Sequence, residues 1–436
     1  MNTDNENRST RREFITSGVA AAAVGALAAP LILSSPARAY APTDKIRVGL
    51  IGCGGRGSGA ASQALAADPG VILVAMGDVF KEKIDASMSA LKAIPEIASR
   101  VQVKPDHCFI GLNAYQKVID SGVDVVLLAS PPGFHPGHIK AAIAGNKHVF
   151  AEKPMGSDAV GVLEALEATK LAKEKKLTFV AGFCFRYNLE LRAFYKRIQA
   201  GAIGKVRNVH ATYLTGPVKA MPAESSRPAG MSDVEWQIRN WYNFVWLSGD
   251  GLVEQACHSV DKILWAMNDV PPLKCVATGG RVYPNAGGNI FDHIDVFYEW
   301  ADGTRATMAQ RQIPTPVFDN SDYIAGATGM GIIKQWVPEI TGATNWKYEG
   351  PKKDMYQIEH DELFASIRKG TPINDGERMA RSTLVGLMGR MAAYTGAEIT
   401  WEQMLHSKEK LVPDNLAWNS KLAVPPMAMP GITKYI

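Results

Sequence analysis

Ile46-Arg47-Val48-Gly49-Leu50-Ile51-Gly52-Cys53-Gly54-Gly55-Arg56-Gly57 decides the fold. Six residues rich in branched apolar side chains read as a short buried strand. The glycines that follow read as a tight turn, and the alanine-rich stretch to about Ala67 is helix-compatible. A second apolar strand covers Val71–Met76, and Asp78 stands at its end, 21 positions after the last glycine. This is a G-x-G-x-x-G in the strand–turn–helix setting it needs, with an acidic residue at the expected distance. Gly52 permits the tight turn, Gly54 lets backbone approach a pyrophosphate, and Gly57 allows close helix–strand packing. Gly55 and Arg56 complete the loop. The helix N-terminus offers free N–H groups and a partial positive charge to phosphate. Asp78 would accept hydrogen bonds from ribose hydroxyls, which favours NAD. NADP stays open because Arg56 would reach a 2'-phosphate.

The alternation continues outward. Tyr115–Ser121 reads as helix, Val123–Ala129 as a buried parallel strand stopped by Ser130-Pro131-Pro132, Pro136–Ala144 as a helix ended by Gly145, and His148–Ala151 as another strand. Such a βαβ series predicts a parallel sheet with helices on both faces. From Gly204 the pattern changes. Val206–Leu214, Lys274–Tyr283, His293–Trp300 and Thr304–Gln312 read as strands with few intervening helices, so a mostly antiparallel sheet is expected. The fold class is thus an α/β dinucleotide-binding domain over 45–180, followed by an α+β domain with an open sheet over 181–408. Residues 409–436 read as an extended tail, which would wrap a neighbouring domain or subunit.

Residues 1–39 read as an address. Ser9-Thr10-Arg11-Arg12-Glu13-Phe14-Ile15 precedes a mildly apolar, glycine-diluted run from Gly18 to Leu33, and Ala37-Arg38-Ala39 is a small-x-small cleavage signature. This matches a twin-arginine signal peptide, which hands folded proteins to the twin-arginine export machinery and implies a periplasmic or otherwise exported product. The run of 16 residues is too short and too weakly apolar for a spanning helix, so no stable membrane anchor is expected. A net charge of +4 without a basic block after residue 39 argues against nucleic acid. Five cysteines, none in a C-x-x-C, argue against a disulfide framework or a zinc site. Asp292-His293-Ile294-Asp295 lacks a third ligand cluster, so no metal is expected.

After the strand at His148–Ala151 comes Glu152-Lys153-Pro154. Together with the glycine fingerprint and the Ser130-Pro131-Pro132 turn, it resembles the oxidoreductase family named for glucose–fructose oxidoreductase, inositol dehydrogenase and a rhizopine-catabolism protein. His135, the segment Gly182-Phe183-Cys184-Phe185-Arg186, and His258 fit further motifs of that family. Where the family carries Asp four residues before this histidine, the chain has Glu254. The resemblance implies hydride transfer between a nicotinamide and a sugar or polyol carbinol, and a homo-oligomer formed through sheet faces. It implies cofactor contacts from Ser130, His135, Glu152 and Lys153, and substrate contacts from Lys153, Arg186, Glu254 and His258. Lys153, His258 and Glu254 are the candidate catalytic set. His258 would take the hydroxyl proton near neutral pH, and Lys153 would stabilise charge developing on the oxygen. Glu254 and His258 at i, i+4 would share a helix face.

Plainer roles exist for each residue. His258 has apolar neighbours, Glu254 suits a structural ion pair, and His135 suits a helix cap. Asp250 reads as loop surface, and no base is evident for Cys257 as a nucleophile. Trp236, Trp241, Tyr242, Phe244 and Trp246 suit either a sugar face or ordinary packing. Scarcity of free NAD outside the cytosol predicts a tightly held cofactor regenerated by a second substrate. The competing functions are redox-neutral glycoside cleavage by oxidation, elimination and reduction, and a non-catalytic dinucleotide- or sugar-binding protein.

Overall fold

The computed structural model describes residues 40, 41 and 43–435. The export signal read in residues 1–39 lies outside them.

Six parallel strands form the first sheet: β1 (Ile46–Ile51), β2 (Val71–Asp78), β3 (Cys108–Ile110), β4 (Val125–Leu128), β5 (His148–Ala151) and β6 (Phe179–Ala181), in the spatial order β3-β2-β1-β4-β5-β6. β1 pairs in parallel with both β2 and β4, so the chain reverses its direction of travel across the sheet between β1 and β4. Such a switch point opens a crevice beyond the carboxyl ends of the strands. All four residues of β4 and of β5 are buried, as helices on both faces require. The helix Gly55–Ala67 lies on the sheet through Gly57, Ala60, Ala61, Ala64 and Leu65, small side chains that let it approach closely.

The second sheet has nine strands: β7 (Val206–Thr215), β8 (Lys274–Gly280), β9 (His293–Glu299), β10 (Arg305–Gln312), β11 (Asp322–Gly326), β12 (Gly329–Lys334), β13 (Val337–Gly342), β14 (Trp346–Lys347) and β15 (Ile399–Thr400). Their order is β14-β13-β12-β11-β7-β10-β9-β8-β15, antiparallel throughout except that β7 and β10 run parallel. The four short strands β11–β14 were not expected. Gly326, Gly329, Gly331 and Gly342 interrupt their apolar alternation and blur the period-2 signal.

The helix Gly376–Thr395 is buried along nearly its whole length, because it fills the space between the second sheet and the helix Ala159–Glu174. The helix Met355–Lys369 returns to the first sheet. Its Ile358, Leu363, Phe364 and Ile367 join the apolar cluster of Ile46, Leu50 and Ala60, and Arg368 pairs with Asp68 at 2.8 Å. Residues 409–435 form no helix or strand and run over the chain's own surface. The N–H groups of Leu411 and Val412 reach the Asp158 carboxylate at 2.7 and 3.3 Å, and Gln237 donates to the Leu422 carbonyl at 2.6 Å.

Burial pushes three imidazoles far down: His138 to about 3, His148 to about 4 and His360 to about 3. Each is neutral when folded and takes up a proton on unfolding below roughly pH 6.5, so its contribution is intact above that pH and is lost as pH falls toward the folded value. His360 lies against Phe150 at 4.5 Å and is fully enclosed. In urea titrations, His360→Gln should shrink the stability lost between about pH 7 and pH 5 by about 2 kcal/mol. The buried Glu359 carboxyl, raised by desolvation, works in the opposite sense and is common to both proteins. An unchanged pH slope in the variant would show that His360 is not the proton acceptor.

Candidate active site

A cleft of about 1020 Å³ runs from the carboxyl ends of the first sheet to the edge of the second. The glycine loop forms its floor. Gly52 has φ +90°, and a Cβ there would sit 2.5 Å from the Ala129 backbone. A Cβ at Gly57 would stand 1.9 Å from the Gly52 carbonyl oxygen, so β1 and its helix meet at a distance only glycine tolerates. Gly54 and Gly55 differ. Nothing lies within 4 Å of where their Cβ atoms would be, and both line the cleft. No side chain caps the helix that begins here, which leaves its first N–H groups for an anion. This open cradle fits a pyrophosphate.

Asp78 closes β2 on the cleft wall, accepting the Cys53 N–H at 2.7 Å and the Phe80 N–H at 3.0 Å. Burial raises its carboxyl, and those two N–H groups oppose the rise. Arg56 pairs with Glu152 at 2.9 Å, donates to Gln63 at 2.5 Å and lies 4.7 Å over the Tyr356 ring. It is therefore committed to Glu152, Gln63 and Tyr356 and not to Asp78. Glu152 lines the cleft, its carboxyl raised by burial against the pull of Arg56.

Lys153 follows β5 across a cis peptide to Pro154. Its ammonium donates to the Glu254 backbone carbonyl and pairs with the Glu254 carboxylate at 2.9 Å. Burial alone would push this lysine down, but the Glu254 carboxylate outweighs it and holds Lys153 above its usual value, fully charged. Gln255 braces the other Glu254 oxygen at 2.6 Å. His258 shares the same wall, tilted on Phe185 with ring centroids 4.5 Å apart. Its Nδ1 is buried without a hydrogen-bond partner among the described residues. Burial first, and the Lys153 charge second, hold its imidazole well below the ordinary value. The cleft thus joins a fixed cation to a neutral imidazole. Glu254 and His258 do not share one helix. A turn at Gln255 and Ala256 separates Gly251–Glu254 from Cys257–Ala266, and both side chains still reach the cleft.

Three expectations fail on placement. His135 is absent from the cleft wall and 1% exposed. Its ring nitrogens meet the Pro154 and Ser130 carbonyl oxygens, each at 2.7 Å, so it braces the two turns that carry Ser130 and Lys153. Arg186 is also absent from the wall. It forks onto Asp261 at 2.7 and 3.0 Å, reaches Asp269 at 2.5 Å and stacks on Trp265. Asp250 is no surface residue. It is fully buried at φ +85° and accepts the Phe291 N–H at 2.7 Å and the Tyr394 hydroxyl.

Around the expected Ser130, other residues had gone unread. Ser130 contacts His138 Nδ1 at 3.0 Å, and Tyr115 stacks on that ring at 4.3 Å. All three line the cleft, as do Phe185, Tyr213, Trp336 and Tyr356. Of the aromatic cluster, Trp236 and Trp241 reach the wall, whereas Phe244 and Trp246 pack with Leu247. The Trp236 indole N–H is buried without a partner among the described residues. Burial pushes the Cys257 thiol up to about 12, which leaves it protonated and unsuited to attack.

Known proteins share this fold. Residues 46–183 match the family described as "Oxidoreductase family, NAD-binding Rossmann fold". An inositol 2-dehydrogenase of Rhizobium meliloti (strain 1021) is 24% identical over 347 residues, covering 76% of this chain and 92% of its own length. The solved aldose-aldose oxidoreductase of Caulobacter crescentus, complexed with glycerol, superposes with a TM-score of 0.64 at 17% identity, over 82% of this chain and 99% of its own. The WlbA dehydrogenase of Bordetella pertussis, in complex with NADH and UDP-GlcNAcA, gives 0.61 at 21% identity, over 82% and 98%. Residues 46–183 therefore carry a likeness to the Gfo/Idh/MocA oxidoreductases, in the part described as their NAD-binding Rossmann fold.

Proposed function

We propose that this protein is an exported, NAD-dependent oxidoreductase that oxidises or reduces one carbinol carbon of a sugar or related polyol. The observation that carries the reading is the buried Lys153–Glu254 pair beside the neutral imidazole of His258, on the cleft that the glycine loop floors. When bound, the nicotinamide supplies the hydride acceptor or donor. The chain supplies the rest. Lys153, held by Glu254, keeps a hydrogen for the substrate oxygen and stabilises charge there. Neutral His258 takes the hydroxyl proton. The inositol and aldose enzymes among the similar proteins support a polyol as substrate.

Asp78 favours NAD, since its carboxylate accepts ribose hydroxyls and repels a 2'-phosphate, while Arg56 is held by Glu152. The Asp78 end is also covered. Val218, Lys219, Met231 and Arg239 line the cleft opposite Asp78 and Phe80. Arg239 lies 3.9 Å over the Phe80 ring and pairs with Glu82 at 2.7 Å, and Trp418 of the tail stands 6.2 Å from Phe80. This cover supports a captive cofactor, restored in place by a second substrate. Captivity suits a product of folded export through the Arg11-Arg12 signal, and the reading extends to a periplasmic homo-oligomer.

Mild acid should release NAD(H) from the folded, purified protein, identified by absorbance and mass. An empty protein that binds added NADH would end the captive reading, and one that binds none would end the dinucleotide reading altogether. Release of an aglycone without net NADH would point to redox-neutral cleavage instead. With any polyol turned over, His258→Gln should lower kcat by about 10²–10⁴-fold while NADH binding stays unchanged. The acid limb of wild-type kcat/KM should lie below about pH 6.5, because only the neutral imidazole accepts a proton and its folded value is depressed. A limb at or above that pH would rule out His258 as the base.

A further inference from the structure

The β12–β13 hairpin ends in a two-residue turn. Lys334 pairs with Val337, and Gln335 and Trp336 between them have φ of 47° and 68°. Two consecutive left-handed residues define the turn that suits the twist of a hairpin, and Asn-Gly fills it at least cost. A tryptophan there is a steric outlier, because its Cβ crowds the following carbonyl. Backbone sterics therefore disfavour the residue that the turn holds. Strained side chains of this kind point to a function.

Trp336 has a place to act. Its side chain lines the cleft. One edge meets Phe185, with ring centroids 5.0 Å apart at 66°, and Phe185 in turn lies on His258 at 4.5 Å. Trp336 is 46% exposed, so much of its indole remains uncovered. The same cleft is also lined by polar groups: Lys153, Glu254 and Gln255, with the Tyr213 hydroxyl donating to Gln255 at 2.9 Å. Its lining is thus part aromatic and part hydrogen-bonding. A saturated ring with a C–H face and a rim of hydroxyls matches both kinds of group at once. An open-chain polyol presents no such face without losing the freedom of several bonds.

We infer that Trp336 is the specificity-determining platform of the substrate site, selecting the ring form of a polyol and seating it beside His258. The inference rests on the polyol oxidoreductase reading above, and its test separates the two.

Trp336→Gly is the informative variant, because glycine removes the platform and relieves the turn. Its Tm should equal or exceed that of the wild type, and NADH affinity should be unchanged. For ring substrates such as myo-inositol or methyl glucoside, KM should rise about tenfold with kcat within about twofold, whereas KM for sorbitol should stay put. Trp336→Phe should recover most of the loss, and Trp336→Asn, which also tolerates the left-handed turn, should reproduce the glycine variant. Unchanged ring KM in the glycine variant overturns the inference. So does a lowered Tm accompanied by lost NADH affinity, which marks a structural role. Calorimetry with myo-inositol and methyl glucoside on the NADH-loaded protein measures the platform without turnover. Ring binding that Trp336→Gly abolishes, in a protein that oxidises no polyol, keeps the platform and refutes the oxidoreductase reading. A wild-type protein that binds neither ring overturns the platform.

Discussion

The ion pair between Lys153 and Glu254 is the constraint to which the rest of the site answers. Lys153 leaves the end of β5 in the first sheet, and Glu254 sits on the short helix Gly251–Glu254 that lies against the second. Their side chains are 11% and 9% exposed. Removing two charges from water is costly, and an apolar pair would hold the halves together at least as well. Stability is therefore a poor reason for it. What the pair does is place one positive charge at a defined point, with the carboxylate on one side and His258 on the other. The same charge helps to keep His258 neutral, so the charge states of both groups are set by one arrangement.

Much of this was legible in the chain. The strand–glycine–helix stretch at Ile46–Ala67 carries its own turn chemistry, so local residues determine local structure, and Gly52 and Gly57 occupy the two places in it where a Cβ would collide with backbone. Glu152, Lys153 and His258 stood out because their motifs are contiguous. Arg186 did not show its role, since its partners Asp261 and Asp269 lie 75 and 83 residues downstream and nothing in either segment announces the pairing. The role that emerges is still close to the cleft. Asp261 lies three residues beyond His258 on the helix Cys257–Ala266, so the Arg186 fork fixes the helix that carries His258. His135 follows the same logic from the other side, tying the Ser130 turn to the Pro154 turn.

Asp250 shows why a polar residue in a glycine-rich loop misleads. Gly249-Asp250-Gly251 has the composition of a solvent-exposed turn, and only the fold reveals that Phe291 and Tyr394, 41 and 144 residues away, enclose it. The strands β11–β14 were missed for a related reason. Their stability comes from cross-strand pairs, which single-chain periodicity does not record, and not from an apolar run. Trp336 sits on exactly the kind of turn that such a reading passes over.

The cleft has two unlike ends, and the contrast follows from where each wall comes from. The Asp78 end is lined by the segment 218–241 and approached by the tail, which are held to one another by Gln237 and Asp233 on Leu422 and to the helix Lys81–Lys92 by Arg239 on Glu82. Opening it requires several paired side chains to part together. The His258 end is walled by a two-residue hairpin turn whose tryptophan is nearly half exposed. Opening it requires far less, since a turn of this kind bears no long-range ion pair. On the proposed reading, small molecules would come and go at one end while the other stays shut, the mechanical condition for two substrates to use one resident dinucleotide in turn.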